Sequence, residues 1–417
     1  LPALDCRLAA QQILDCCLEN QPWPRELLQN LILEASEEDS VRARCGSDAL
    51  FQLLAERLGD LFEPRLCLAY AELFSEVIEH AIPELKSHKL LERYHRIRRP
   101  QEFRGDVAAV RRVFVLSRVT LGADIAITSL VIEAAERRFP EARIVLVGGE
   151  KSRLLFAADP RIEHLPVEYR RGGTLRDRLG IWRDLAAALS QPGSIVVDPD
   201  SRLTQLGLLP LCPEENYYFF ESRAYGVDGD DSLVTLTRRW LGETFGIPDA
   251  TPRIKPASPP DLGPRVVIAV SLGVGENPAK RLPDPFEAEL LRALSRKEAL
   301  VLVDKGGGPE EAERVERAVA LTGASPDRMR AWQGSFADFA AIISRSRLVV
   351  GYDSAAGHAA AACGAPLVSV FAGFPSPRMF ARWRPTGTGP IEVIRVDYPD
   401  PRLTLERTLA AIERLWL

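Results

Sequence analysis

Asp353 and Ser354 stand between an apolar run at 348–350 and a small-residue segment at 355–363, and His358 follows Ser354 by four residues. A strand that breaks at Gly351 and hands over to a helix puts the Asp-Ser pair at the carboxyl end of a strand. In open α/β sheets ligands bind at that end. The free amides of a helix's first turn attract anions there, phosphate oxygens above all. The alanines let the helix pack close to a sheet, and a four-residue step keeps His358 on the face of Ser354. The plain structural alternative makes Asp353 an N-cap and His358 a surface residue.

Other residues have types and places suited to the same chemistry. Asp124 follows the apolar run 113–116 and a glycine-containing turn, and it opens a helix expected over about 125–138. A carboxylate there is either an N-cap or a base aimed at the ligand crevice. The run 266–270 leads into Gly273-Val274-Gly275, with Lys280 shortly after. Glycine turns let backbone amides approach an anion, and a lysine neutralises it. Glu311 opens the helix after the strand at 299–303 and a triple-glycine turn. It could accept hydrogen bonds from a ribose diol, or simply favour the helix dipole. Asp198-Pro199-Asp200 has the Asp-x-Asp form of a divalent-metal site for a diphosphate. Proline stiffens a turn, and a helix-terminus phosphate site makes a metal unnecessary, so the turn reading is preferred and no metal ligand is assigned.

Positioning these groups requires alternating strands and helices. The chain of 417 residues has room for two or three domains. Residues 1–105 carry apolar stripes at helical spacing, such as Leu50, Leu53, Leu54 and Leu58, and read as an all-helical accessory or assembly domain. From Val110 the texture changes to α/β alternation with parallel topology. A proline-rich join at 248–264 divides it into blocks at 106–255 and 256–417. Residues 377–385 read as a loop and 403–417 as a closing helix.

Composition narrows the partners. Apolar and charged fractions of 46% and 27% are those of a soluble globular chain, and a net charge of −5 leaves no electrostatic footprint for nucleic acid. No apolar run is long enough to span a bilayer, and the opening residues do not read as a secretory signal. The seven cysteines lack metal-site spacing and read as reduced thiols. A cytoplasmic location is expected. The basic run 95–99 has two readings, contact with lipid head groups at the inner face of a membrane or a solvated surface.

From about Val113 onward, roughly three quarters of the chain, the sequence resembles glycosyltransferase family 9, whose type members are ADP-heptose:lipopolysaccharide heptosyltransferases. The family's Leu-Gly-Asp turn with a following threonine is similar to Leu121-Gly122-Ala123-Asp124 with Thr128. Its Gly-x-Gly and lysine resemble Gly273, Gly275 and Lys280, and its Gly-Gly-x-x-Glu resembles 307–311. Its Asp-Ser-Gly-x-x-His-x-Ala-Ala-Ala signature resembles 353–361. Ala123 interrupts the Gly-Asp pair, Ala355 replaces a glycine, and Leu282 stands where a tryptophan is usual.

The resemblance implies a GT-B fold: two Rossmann-like domains facing a cleft, with the acceptor on the first and the donor on the second, beside the N-terminal all-helical domain. It implies an inverting, metal-independent transfer from a nucleotide-diphosphate sugar, ADP-heptose being one candidate, to a glycan or protein hydroxyl, with no further cofactor. By this reading Asp124 is the general base, and Arg118 and Thr128 lie on the acceptor side. Lys280 and the amides near Ser354 stabilise the leaving diphosphate, and Gly273, Gly275, Glu311, Asp353 and His358 complete the donor side. Two other classes stay open: an epimerase or hydrolase of nucleotide sugars, and a non-catalytic assembly protein. Oligomeric state is left open, with the helical domain as a candidate for mediating it.

Overall fold

The computed structural model describes residues 5–37, 40–169, 173–226, 229–257, 261–263, 265–275 and 277–416. Two parallel sheets organise it. The first comprises β1 (Arg112–Leu116), β2 (Arg143–Gly148), β3 (Ile162–Pro166), β4 (Ser194–Asp198) and β5 (Tyr217–Phe219), in the order β3-β2-β1-β4-β5. The second comprises β6 (Val267–Ser271), β7 (Leu300–Asp304), β8 (Met329–Trp332), β9 (Leu348–Tyr352), β10 (Leu367–Phe371) and β11 (Ile391–Arg395), in the order β11-β10-β9-β6-β7-β8. Every strand pairing is parallel. The central strands β4, β6, β9 and β10 are buried along their whole length, which is why they are continuous apolar runs rather than alternating ones.

In each sheet the strand order reverses once, between β1 and β4 and between β6 and β9. The loops leaving those four strands diverge to opposite faces of their sheet and open a crevice at its carboxyl edge. Asp198 ends β4, and Asp124, the 273–275 turn and the Asp353-Ser354 pair follow the other three strands.

The N-terminal region is helical, as expected: Cys6–Leu18, Arg25–Ser36, Pro64–Ala81, Ser87–Ile97, and a helix from Ser40–Asp48 that continues through the π-helical Ala49–Ala55 into Glu56–Asp60. It does not keep its core to itself. Leu58, Leu66 and Tyr70 join Phe114, Leu116, Val145, Val147 and Val196 in one cluster, so these helices roof one face of the first sheet. The other face packs under the helices Ser129–Arg138 and Leu233–Phe245, in a core that runs on to Val267, Ala269 and Val349 of the second sheet. Two arginines of the basic run pair with acids of the first block, the exposed Arg96 with Glu214 at 2.6 Å and the half-buried Arg98 with Glu221 at 2.9 Å.

Several local expectations change. Val266 is solvent-facing and the strand begins at Val267. Residues 377–385 are not all loop: Pro377–Trp383 is a helix, with Ser376 as its N-cap and proline in its first turn. The closing helix starts at Pro401. The proline-rich join follows the first block as far as Lys255, whose amide donates to the Leu155 carbonyl at 2.8 Å. Its residues 258–260 and 264, like Leu417 of the closing helix, lie outside the described residues.

Candidate active site

The candidate residues of the second half gather at the second reversal point. β9 ends at Tyr352, Asp353 and Ser354 follow, and the helix Ala355–Cys363 begins. Ser354, not Asp353, is the N-cap residue, and its side chain makes no capping bond. Its Oγ is shut off from solvent and has no hydrogen-bond partner. A buried hydroxyl left unsatisfied costs about 1–3 kcal/mol, and beside the free amides of a helix start it is well suited to an anion's oxygen. Asp353 is spent elsewhere, since its carboxylate accepts from Lys280 Nζ at 2.6 Å. Lys280 also donates to the Asp353 carbonyl at 3.3 Å. The 278–280 turn that carries the lysine is pinned by Asn277, which caps it and donates to the Gly373 carbonyl at 3.2 Å.

His358 is buried rather than on the surface, 6% exposed and edge-on to Trp383 with ring centroids 5.8 Å apart. Burial pushes its pKa below the usual histidine value, against the pull of Asp353 and with the help of Lys280. The ring is therefore a neutral hydrogen-bonding group near pH 7.

Glu311 and the glycine turns sit beside this centre. Gly275 has φ +59 and Gly273 lies within 3.5 Å of Glu311 Oε1, measured from an added Cβ. The Glu311 carboxylate accepts from the amides of Val274 at 3.0 Å and Gly307 at 3.1 Å, tying together the loops that follow β6 and β7.

On the other side of the cleft the structure departs most from expectation. Asp124 is completely buried. It accepts four hydrogen bonds, from Ser117 Oγ at 2.8 Å, the Arg118 amide at 2.7 Å, Thr128 Oγ1 at 2.8 Å and Ser152 Oγ at 2.6 Å. Burial pushes its pKa up, and those donors pull it back. Asp124 thus brackets the turn after β1 from within, and Thr128 belongs to the same bracket, not to an acceptor surface. The residues of the turn that line the cleft are Gly122 and Ala123. Ala123 stands between Gly122 and this aspartate, and Asp124–Thr128 is a π-helical turn.

The cleft between the sheets holds a pocket of about 250 Å³, lined by Arg118, Thr120, Gly122 and Ala123 from the first block and Lys280, Asp353, Ser354, Ala355 and His358 from the second. Sequence reading singled out most of these. It missed Arg202, Arg223, Met379 and Trp383, and also Asp60, which comes from the helical region. Arg118 lines this pocket, 4% exposed, and burial with Arg223 nearby brings its pKa down to about 10. A larger cavity of about 650 Å³ lies under the helical region near His80 and Trp182, and none of the residues above line it.

The Asp-x-Asp acids are both engaged. Asp198 is buried and accepts from the Ser201 amide at 2.6 Å and from the Thr204 and Tyr217 hydroxyls. Asp200 pairs with Arg223 at 2.8 Å. Among the described residues no group of three or more His, Cys, Asp or Glu side chains is placed to hold a metal. Among the described residues no disulfide joins the cysteines, and no helix is long and apolar enough to cross a membrane.

Two parallel Rossmann-like sheets meeting at one cleft define the GT-B fold. More narrowly, residues 243–392 match the family model of glycosyltransferase family 9 (heptosyltransferase). Among solved structures, the chain is similar to a family 9 glycosyl transferase from Veillonella parvula, with 17% identity, 73% of this chain and 97% of that one covered, and a TM-score of 0.57. It is similar also to Escherichia coli heptosyltransferase WaaC with ADP, at 17% identity, 73% and 99% coverage and a TM-score of 0.54. No curated protein matches the chain. The share of this chain outside both structural matches leaves room for the helical region, which the resemblance does not cover.

Proposed function

We propose that this glycosyltransferase moves a sugar, with a heptose as first candidate, from a nucleoside-diphosphate donor to a glycan or protein hydroxyl, with inversion and without a metal ion. The observation that carries this reading is the convergence of Lys280, the unpartnered Ser354 hydroxyl and the free start of the Ala355–Cys363 helix on one pocket. As the anomeric carbon–oxygen bond breaks, negative charge grows on the diphosphate. Fixed amides, a hydroxyl and an ammonium stabilise that charge more than they stabilise the bound donor. They supply the positive field that a divalent ion supplies in other transferases, while Asp198 and Asp200 are already committed to internal partners. ADP is the nucleotide to try first, because WaaC, which shares the fold, was solved with it.

Calorimetry with ADP, GDP, UDP and CMP, each with its sugar conjugate, tests the donor, and NMR of the product tests inversion. One nucleotide diphosphate bound well above the others, with turnover surviving EDTA, is the expected result. Turnover lost to EDTA and restored by Mn²⁺ or Mg²⁺ overturns the metal-independent reading.

A further inference from the structure

Among the residues that line the cleft pocket are Arg118, Arg202, Arg223 and Lys280, and three of these cations already have a carboxylate. Lys280 holds Asp353 at 2.6 Å. Arg202 pairs with Glu56 at 3.5 Å and with Asp60 at 4.0 Å. Arg223 pairs with Asp200 at 2.8 Å and with Asp60 at 3.4 Å. Arg118 is the exception. Among the described residues no carboxylate stands within ion-pair distance of it, and its guanidinium makes one hydrogen bond, from Nη1 to the Ser222 hydroxyl. That hydroxyl in turn donates to Asp200 at 2.9 Å. We infer that Arg118 receives an anionic group of the acceptor, a carboxylate or a phosphate carried beside the hydroxyl that is glycosylated; this rests on the glycosyltransferase reading above.

The electrostatics of the free cleft support this. Arg118 is buried, and that burial, with Arg223 beside it, lowers its pKa against the pull of Asp200 and Asp60. Both of those acids are already bound to Arg223. A guanidinium is thus held out of water with less negative charge around it than it needs. Its remaining nitrogens form a planar fork that matches the oxygens of a carboxylate or a phosphate. The backbone under it is fixed, since the Arg118 amide donates to Asp124 at 2.7 Å. The next residue, Val119, takes φ +72, a costly conformation for a β-branched side chain.

Position assigns the anion to the acceptor. Arg118 follows β1 of the first sheet, whereas Lys280, Ser354 and the start of the Ala355–Cys363 helix belong to the second. Those three groups already offer the diphosphate a cation, a hydroxyl and free amides. The anion left for Arg118 therefore comes with the other substrate. An acceptor that is neutral at this point would seal the guanidinium in without a partner, so the same residue that draws acidic acceptors rejects neutral ones.

The test uses the full chain, saturated with whichever nucleotide sugar of the panel above it binds, so that the donor's own site is filled. Glucuronate, inorganic phosphate and glucose are then added at matched ionic strength and the melting temperature is followed. Glucuronate or phosphate should raise it and glucose should not; a response to glucuronate alone marks a carboxylate on the acceptor, to phosphate alone a phosphorylated one. The shift should vanish in Arg118→Met and shrink in Arg118→Lys, which keeps the charge and loses the fork. Without anions Arg118→Met should melt no lower than the wild type, because it replaces an unpaired buried charge. A wild type that binds no nucleotide sugar sinks the glycosyltransferase reading, and this one with it. A donor-saturated wild type that responds to neither anion overturns the inference alone, as does a response that survives Arg118→Met. Nucleotide affinity lowered more than ~10-fold in Arg118→Met would give the arginine to the diphosphate instead. An anion-free Arg118→Met that melts well below the wild type would make its role structural.

Discussion

Gly122 and His358 meet across the two halves of the chain: a Cβ added to Gly122 would lie 3.3 Å from His358 Cδ2. The turn after β1 of the first sheet therefore rests on the helix Ala355–Cys363 that follows β9 of the second sheet. Few side chains fit between them. This contact sets the width of the cleft at the point where transfer is proposed to occur.

Gly122→Val should hold the two halves apart. Displacing reacting groups by about 1 Å can cost ~10²-fold in rate, so turnover should fall by about that much while the melting temperature changes little. Steady-state kinetics and a thermal melt check both parts. Unchanged turnover would show that the cleft is wider in solution than this contact implies.

Lys280→Ala should weaken ADP binding and slow turnover, with the greater effect on turnover, about 10²–10³-fold. The reasoning is that charge on the leaving diphosphate is largest in the transition state. The variant also strips Asp353, 5% exposed, of its cation. Equal losses in ADP affinity and in rate would mean that the lysine only binds.

Asp124→Ala should act chiefly on stability. It leaves the donors of Ser117, Arg118, Thr128 and Ser152 without their shared acceptor inside the fold. A buried donor left unsatisfied costs about 1–3 kcal/mol, which a chemical melt resolves. A variant as stable as the wild type would contradict the bracket.

Asp198 gives a pH signature. Burial raises its pKa to about 6 from 3.8, with Thr204, Tyr217 and Ser201 opposing the rise. A carboxyl whose folded pKa lies above its unfolded value binds more protons in the folded state between those two values. Its contribution to stability is complete below about 3.8 and is lost as pH rises through about 6. Asp198→Asn should therefore remove a downward slope of up to about 1.4 kcal/mol per pH unit across that window. Parallel denaturation curves of the two proteins between pH 4 and pH 7 would speak against it.

What could be read from the residues followed from how each feature is encoded. Val113 to Leu116 and Leu348 to Val350 announce buried parallel strands because such strands are apolar without interruption. β5 and β8 are three and four residues long, too short for a periodicity, and the edge strand β11 is only partly buried. The helix Pro377–Trp383 did carry a signal, serine followed by proline at a helix start, which was outweighed by the prolines around it. Asp124 shows a different limit. The motif around it is recognisable, but the burial of its carboxylate among Ser117, Thr128 and Ser152 is not legible from spacing. Asp60 lies 163 residues from Arg223, and nothing local to it indicates that the two share a cleft.

The shared core under the helical region bears on how the protein can be handled. A chain begun near residue 100 would match the span that the resemblance covers, and would look like a sensible minimal enzyme. It would also bare Phe114, Leu116, Val145, Val147 and Val196 on one broad wall of the first sheet. Contiguous apolar area of that kind drives self-association. Shortening this protein to its recognisable part should yield inclusion bodies, not a smaller working transferase.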